Sequence, residues 1–353
     1  MEQNTCEKDL RESVSNEGEV QIILEEKNKS KSFSIKDFYN RSIKKHMTPL
    51  AAILLVIVLV LTSVLFIQGG SVRMLKKDLN NANMLHRAVY DKSQKIELAG
   101  ESDRIHTYNI AYGDVCIPAI EGVPKSTYKD EDFITDENGF KQYYIDGELC
   151  SYVGVDVSEH NGYIDWQKVR DAGVDFAMLR IGGRGWGEAG VLYGDSMFWE
   201  NLRGAKAAGL MVGAYFYSQA ISAEEAKEEA EFVLEILDGE SLDYPIAFDW
   251  ETVEGGVGAR TDNLSPDILT ECARAFCDRI KYAGYTPCLY TGATLAYYKY
   301  DLGVLSDIDI WYAFYNDTPG LYYNYMIWQY ASDGRVSGIS GDVDLNICFK
   351  NYK

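Results

Sequence analysis

Residues 50–67 read LAAILLVIVLVLTSVLFI, an apolar run whose only polar members are Thr62 and Ser63. At about 1.5 Å per residue a helix over this run spans roughly 27 Å, close to the hydrocarbon thickness of a bilayer. Pro49 stands where the first turn of a helix tolerates it, and Gln68-Gly69-Gly70-Ser71 ends the run. The competing readings are a buried core helix and a cleaved signal peptide. A signal peptide rarely has 49 residues before its apolar region, although Gly69-x-Ser71 resembles a small-residue cleavage site. One membrane crossing over residues 48–68 is therefore expected, in contact with lipid.

The flanking charges give its direction. Lys29, Lys31, Lys36, Arg41, Lys44 and Lys45 precede the span, whereas Arg73, Lys76, Lys77 and Arg87 follow it, which favours a cytoplasmic N-terminus. No second apolar run returns the chain, so the remainder is expected outside. Of the 54 acidic and 34 basic residues, 31 and 15 lie beyond residue 150. A net charge of −20 has the wrong sign for a phosphate-binding surface and excludes nucleic acid as a partner.

Residues 1–47 read as a mostly disordered cytoplasmic tail in which only Val20-Gln21-Ile22-Ile23-Leu24 is strand-like. Over residues 69–100, Val72, Leu75, Leu79, Ala82 and Val89 follow helical spacing, suggesting a stalk with at most a weak dimer contact. Residues 101–150 form an acidic lead-in to which the sequence assigns no function. Cys6 lies inside; Cys116, Cys150, Cys272, Cys277, Cys288 and Cys348 lie outside, and their pairing cannot be deduced. Cys272 and Cys277 stand about 140° apart around an expected helix and should not bond each other.

From residue 151 to 353, short apolar runs alternate with helical patterns. Strands are expected at 153–157, 176–181, 211–217, 246–250, 287–290, 308–313, 326–330 and 343–347. Ser222-Ala-Glu-Glu225 forms a capping box, and Ser265-Pro266 opens a helix that Gly284 closes. Eight strands in this length imply an α/β fold: an incomplete or irregular (β/α)8 TIM-like barrel with some helices short or missing.

Chemistry in such barrels sits at the C-terminal ends of the strands, and carboxylates collect there. Asp156 closes the first strand, Asp249 and Glu251 close the fourth in Ala-Phe-Asp-Trp-Glu, and Asp344 lies in the last. Closure makes the first and last strands neighbours and brings Asp156 to Asp344. Asp249 and Glu251 alternate with Trp250, so both face one side with Cα atoms roughly 6.6 Å apart. Glycoside cleavage needs such a pair, one acid to protonate the leaving oxygen and one carboxylate to stabilise or attack the anomeric carbon. Crowding four carboxylates also raises the pKa of at least one. The plainer reading is that D-x-E is common and an Asp at a strand end often only caps a helix.

These residues also carry a resemblance. Gly154-Val-Asp-Val-Ser158 followed by Gly162, Phe248-Asp-Trp-Glu251, Leu289-Tyr-Thr-Gly292, and Trp328-Gln-Tyr330 followed by Val343-Asp-Leu-Asn346 together resemble glycoside hydrolase family 25, the Chalaropsis-type lysozymes. The resemblance covers residues 152–349. It implies a muramidase that cleaves the β-1,4 bond between N-acetylmuramic acid and N-acetylglucosamine in peptidoglycan strands, with no cofactor. It makes Glu251 the general acid and Asp249 its partner, with Asp156 and Asp344 completing the site. The motif leaves open whether Asp249 attacks carbon directly or assists the substrate's acetamido group. Asn161 departs from the Gln that many relatives carry after the His, which puts only a local contact in doubt.

Tyr215, Tyr217, Tyr290, Trp311, Tyr312, Trp328 and Tyr330 sit at the same strand ends and can stack on sugars or pack the core. Tyr290 and Trp328 lie within motifs and are the leading stacking candidates, with Gln329 between Trp328 and Tyr330 as a further substrate contact. Arg180 has two equal readings, a partner for a substrate carboxylate or a counter-charge for the acidic mouth. Of His46, His86, His106 and His160, only the last lies in the barrel. Zinc hydrolysis is thereby disfavoured, and His160 is expected to orient Asp156. The rival readings are a catalytically silent wall-glycan-binding ectodomain and a chitinase-like glycosidase.

Overall fold

The computed structural model describes residues 10–14, 20–24, 31–34, 104–109, 113–253 and 258–352. Two compact units, residues 1–73 and 74–353, divide the chain. The apolar run 50–67, the stalk 69–100 and Cys6 lie outside the described residues. Among the described residues no helix is long and apolar enough to cross a membrane. In the first unit, β1 (Leu10–Val14), β2 (Val20–Leu24) and β3 (Lys31–Ser34) pair antiparallel. The strand-like Val20–Leu24 is thus the centre of a three-stranded sheet, where the sequence suggested one extended segment in a disordered tail.

The second unit begins with the lead-in: β4 (Arg104–Asn109), β5 (Gly113–Pro118), β6 (Phe133–Thr135), β7 (Lys141–Ile145) and β8 (Glu148–Leu149). The barrel follows. Its strands are β9 (Tyr152–Val157), β10 (Phe176–Arg184), β12 (Met211–Ser218), β13 (Ile246–Trp250), β14 (Pro287–Gly292), β15 (Asp309–Ala313), β16 (Ile327–Gly334) and β17 (Val343–Cys348). A short β11 (Leu192–Gly194) pairs antiparallel with the end of β10. The helices are α1 (Trp166–Asp171), α2 (Phe198–Ala207), α3 (Ala223–Leu237), α4 (Pro266–Tyr282) and α5 (Ala293–Tyr298). Ser222 caps α3 by accepting from Glu225 N, but the expected capping box is only half made, because Glu225 Oε2 accepts from Ile221 N instead of Ser222 N; Ser265 with Pro266 opens α4, as the sequence indicates.

Seven barrel strands run parallel; β17 runs antiparallel to both of its neighbours, β16 and β9, and closes the barrel. A final strand entering in reverse carries its first residues, not its last, to the end where the parallel strands finish. Asp344 therefore stands directly opposite Asp156 in the β17–β9 register. Alternation separates two layers. Phe176, Met178, Ala247, Cys288, Tyr290, Trp311, Ile327 and Cys348 fill the barrel interior, while Val155, Val157, Leu179, Phe216, Phe248, Leu289, Tyr312 and Trp328 face outward. Gly154 is required inside, because a Cβ there would lie 2.2 Å from the Phe176 ring.

No helix follows β15 or β16 in the described chain, and the outward aromatics of that flank would otherwise meet water. The lead-in covers them. Tyr128 stacks on Phe349 at 4.1 Å and Phe133 meets Trp328 edge-on at 5.3 Å, while Tyr128 Oη donates to Tyr325 O at 2.9 Å. Ile105, Ile117, Phe140 and Tyr143 join the same buried cluster as the outer barrel face. The segment without an assigned role thus takes the place of missing helices. The cysteines described, Cys116, Cys150, Cys272, Cys277, Cys288 and Cys348, are free thiols.

Candidate active site

β13 is buried along its whole length, and its inward parity puts Asp249 two residues above Ala247, with Glu251 just past the strand's end. Tyr217 and Tyr290 flank Asp249 in register on the neighbouring strands. Asp249 is 6% exposed, and its Oδ1 makes no hydrogen bond among the described residues. An unpartnered buried carboxylate oxygen is costly and leaves Asp249 with an acceptor that no neighbouring side chain occupies. Burial first, then the charges of Glu251 and Asp156, push its pKa well above the usual range, while Arg180 opposes the shift. The chain assigned as general acid is anchored by its backbone: Gln219 Nε2 donates to Glu251 O at 3.2 Å, and Thr261 Oγ1 donates to Gln219 Oε1 at 2.7 Å.

Asp156, equally buried, is held by two side-chain amides. Its Oδ2 accepts from Gln329 Nε2 at 2.8 Å and from Asn346 Nδ2 at 2.7 Å. Each amide is held in turn. Gln329 Oε1 accepts from Tyr290 Oη at 2.8 Å and Tyr315 Oη at 3.0 Å, and Asn346 Oδ1 accepts from Trp311 Nε1 at 2.8 Å. Residues of four strands and the exit of one of them thereby converge on the carboxylate carried by β9. Burial raises its pKa to about 6 against the lowering effect of the two amides, and the charge of Glu251 adds to the rise. Asp344, across the strand pair, is pushed up to about 8 by burial and by the charges of Asp156 and Glu251.

Tyr215, Tyr290 and Trp311 pack together on this inward face, with ring centroids 5.9 Å apart for Tyr215–Trp311 and 4.8 Å for Tyr290–Trp311. Burial and the neighbouring carboxylates hold the Tyr215, Tyr217 and Tyr290 phenols well above their ordinary pKa, so all three remain neutral. Arg180 donates from Nε to Asp195 Oδ2 at 2.8 Å and from Nη2 to Glu159 Oε1 at 3.1 Å. These contacts, and its effect on Asp249, place it as a counter-charge.

Two expectations are corrected. Trp328 faces outward, is fully buried, and donates from Nε1 to Phe314 O at 2.8 Å beneath the lead-in, so it is not at the mouth. Parity along β16 makes Gln329 the inward residue and Trp328 and Tyr330 the outward ones. His160 is exposed and does not orient Asp156, which the two amides hold instead. Asn161 closes a capping box with Ser158 and donates to Asp342 O at 3.4 Å, a local contact that ties the exit of β9 to the start of β17.

Other residues of the site escaped the sequence reading. Asn346 was visible only as a motif letter, although its i+2 spacing from Asp344 puts both on one face. Tyr315 lies in a loop, where parity gives no signal. Behind Glu251, buried Glu229 accepts from Arg184 Nε at 2.7 Å and Ser218 Oγ at 2.6 Å; burial lifts its pKa to about 7 in spite of both.

The family model "Glycosyl hydrolases family 25" matches residues 155–339, a span containing Asp156, Asp249 and Glu251. An autolytic lysozyme of Clostridium acetobutylicum is 31% identical over 195 residues, 55% of this chain and 54% of that protein. Lysozyme M1 of Streptomyces globisporus is 28% identical over 204 residues, 55% of this chain and 66% of that one. The chain thus spans about half to two thirds of the length of these curated relatives. A solved family 25 glycosyl hydrolase from Bacillus anthracis is 24% identical, with 60% of this chain and 93% of that one covered and a TM-score of 0.48.

The raised pKa of Asp344 fixes a sign for stability. Between about pH 4, where the unfolded carboxyl titrates, and about pH 8, the folded protein holds a proton that the unfolded chain releases, so raising pH through this window costs stability. Asp344→Asn removes that penalty. It should match the wild type near pH 4 and exceed it at pH 8 by on the order of 1 kcal/mol, a Tm rise of roughly 2–4 °C for a domain of this size. Thermal unfolding across the pH range would contradict the assignment if the variant were no more stable at pH 8 than at pH 4 relative to wild type.

Proposed function

Because the chain belongs to glycosyl hydrolase family 25, we propose that it is a peptidoglycan muramidase, hydrolysing the β-1,4 bond between N-acetylmuramic acid and N-acetylglucosamine and held at the outer face of the cell membrane. The observation that carries the reading is the packing of Asp156, Asp249, Glu251 and Asp344 into one end of a barrel whose interior below them is closed by aromatic rings. Four carboxylates so placed cannot all ionise near neutral pH, so the site holds protons where a glycosidic oxygen needs one. The names of the lysozyme relatives agree with a wall glycan as substrate.

In this reading Glu251, at the lip of β13, protonates the leaving oxygen. Asp249, deeper on the same face, acts at the anomeric centre through its unpartnered Oδ1, either on carbon or on the acetamido group. Asp156 and Asp344 set the local field, and the amide pair of Gln329 and Asn346 keeps Asp156 fixed while sugars enter. Tyr217 flanks the reacting pair as a neutral donor; Tyr290, on the other side, spends its proton on Gln329 Oε1 and so steadies the amide that holds Asp156, while Tyr215 floors the cleft. No cofactor enters the chemistry.

Tethering rests on the sequence. The run at 50–67, its six preceding against four following basic residues and the acidic remainder of the chain fit a single-pass anchor with the barrel outside. Protease added to intact wall-stripped cells should then remove the barrel and leave a membrane-bound fragment that contains residues 50–67 and the segment before them. A soluble species beginning near Gly70 would show cleavage instead.

The acid pair gives the direct test of the chemistry. Glu251→Gln keeps the shape but delivers no proton, so turnover of purified peptidoglycan should fall by about 10²–10⁴-fold with glycan binding retained. Asp249→Asn should do comparable harm. Near-wild-type turnover by both variants would overturn the assignment.

A further inference from the structure

On the flank where the lead-in replaces the missing helices there is a groove of about 600 Å³, a size within the ordinary range for ligand sites. One wall is lead-in, with Thr135 at the end of β6 and Lys141 at the start of β7; the other is barrel, with Tyr315, Asp317, Tyr330 and Ser332.

Tyr315 is the first of the features that define its chemistry. It is 55% exposed, yet its hydroxyl donates to Gln329 Oε1 at 3.0 Å, so the ring presents a fixed face. Gln329 also donates to Asp156, so the groove and the acidic cluster share one hydrogen-bonded chain. Lys141 is the second. Its ammonium donates to Asp317 O at 3.0 Å and lies 3.5 Å from Asp317 Oδ1, and its backbone N donates to Tyr330 Oη at 3.2 Å. This clips the lead-in to the loop that carries Tyr315 and neutralises the cation. With Asp333 also on the wall, two carboxylates stand against one ammonium, and the net negative charge disfavours an anionic group. An exposed aromatic face bordered by hydroxyls and carboxylate acceptors suits an uncharged, polyhydroxylated ring.

We propose that the lead-in completes an accessory glycan subsite in this groove, which takes an N-acetylhexosamine of the same strand, beyond the sugars at the cleaved bond. Thr135 and Lys141 lie outside residues 155–339 matched by the family, so this wall of the subsite belongs to the lead-in of this chain. A sugar held there adds affinity for longer strands without touching the reacting atoms.

The proposal rests on the muramidase reading, and the experiment separates the two. Full-length protein in detergent is given peptide-free oligomers of alternating N-acetylglucosamine and N-acetylmuramic acid, four or eight sugars long. Thr135→Trp and Ser332→Trp fill the groove from opposite walls at exposed positions. Wild type should favour the octamer through KM by about tenfold, as one stacked ring and its hydrogen bonds would supply. Both variants should cleave the tetramer at the wild-type rate and lose the preference for the octamer, with kcat unchanged. Retention of the full preference by both variants would overturn the subsite, as would a preference that appears only on peptide-bearing strands. If wild type cleaves neither oligomer, the muramidase reading fails, and calorimetric affinity for the octamer decides the subsite alone. About tenfold weaker binding by Thr135→Trp supports it; equal binding overturns it.

Discussion

Everything at the catalytic end depends on the reversed closure of the barrel by β17. A parallel eighth strand would deliver its last residues to that end; the antiparallel one delivers its first, so Asp344 meets Asp156 and Asn346 follows on the same face. Two amides, Gln329 from β16 and Asn346 from β17, then converge on one carboxylate oxygen. Neutral donors of this kind hold a carboxylate in place without cancelling its charge, whereas an arginine in the same position would lower its pKa and quench the field of the cluster. The counter-charge, Arg180, is displaced to the rim, engaged by Asp195 and Glu159.

The same arrangement makes the site a source of instability. Asp249, Asp344 and Asp156 are each pushed toward the protonated form by burial before any neighbour acts. Folding tolerates this because the surroundings are heavily built: an aromatic floor inside, helices α3 and α4 outside, and a lead-in that seals the bare flank. The lead-in is therefore part of the barrel's structure, contributing Ile105, Ile117, Phe140 and Tyr143 to its outer core.

The eight barrel strands were legible in the sequence because strands buried on both faces read as continuous apolar runs, bounded here by glycines and capping residues. The gathering of Asp156, Asp249 and Glu251 at one end was legible because they close parallel strands; Asp344 joins them from the start of the reversed β17, and only its pairing with the first strand was legible. Orientation was less so. A run such as Ile-Trp-Gln-Tyr gives two possible parities, and aromatic residues suit either face, so Trp328 was expected at the mouth when Gln329 is the residue that points there. The support from Tyr315, Thr261 and Gln219 rests on loops and long-range contacts that no periodicity announces. The lead-in's strands are short and polar on one side, and their purpose exists only in the surface they cover.

The central claim is that the carboxylate cluster cuts the wall polymer at muramic acid. Mass spectrometry of purified peptidoglycan digested by the protein, with the new ends reduced before analysis, reads this directly. N-acetylmuramitol at the new ends is the predicted result. N-acetylglucosaminitol there, or no new ends at all, would contradict it.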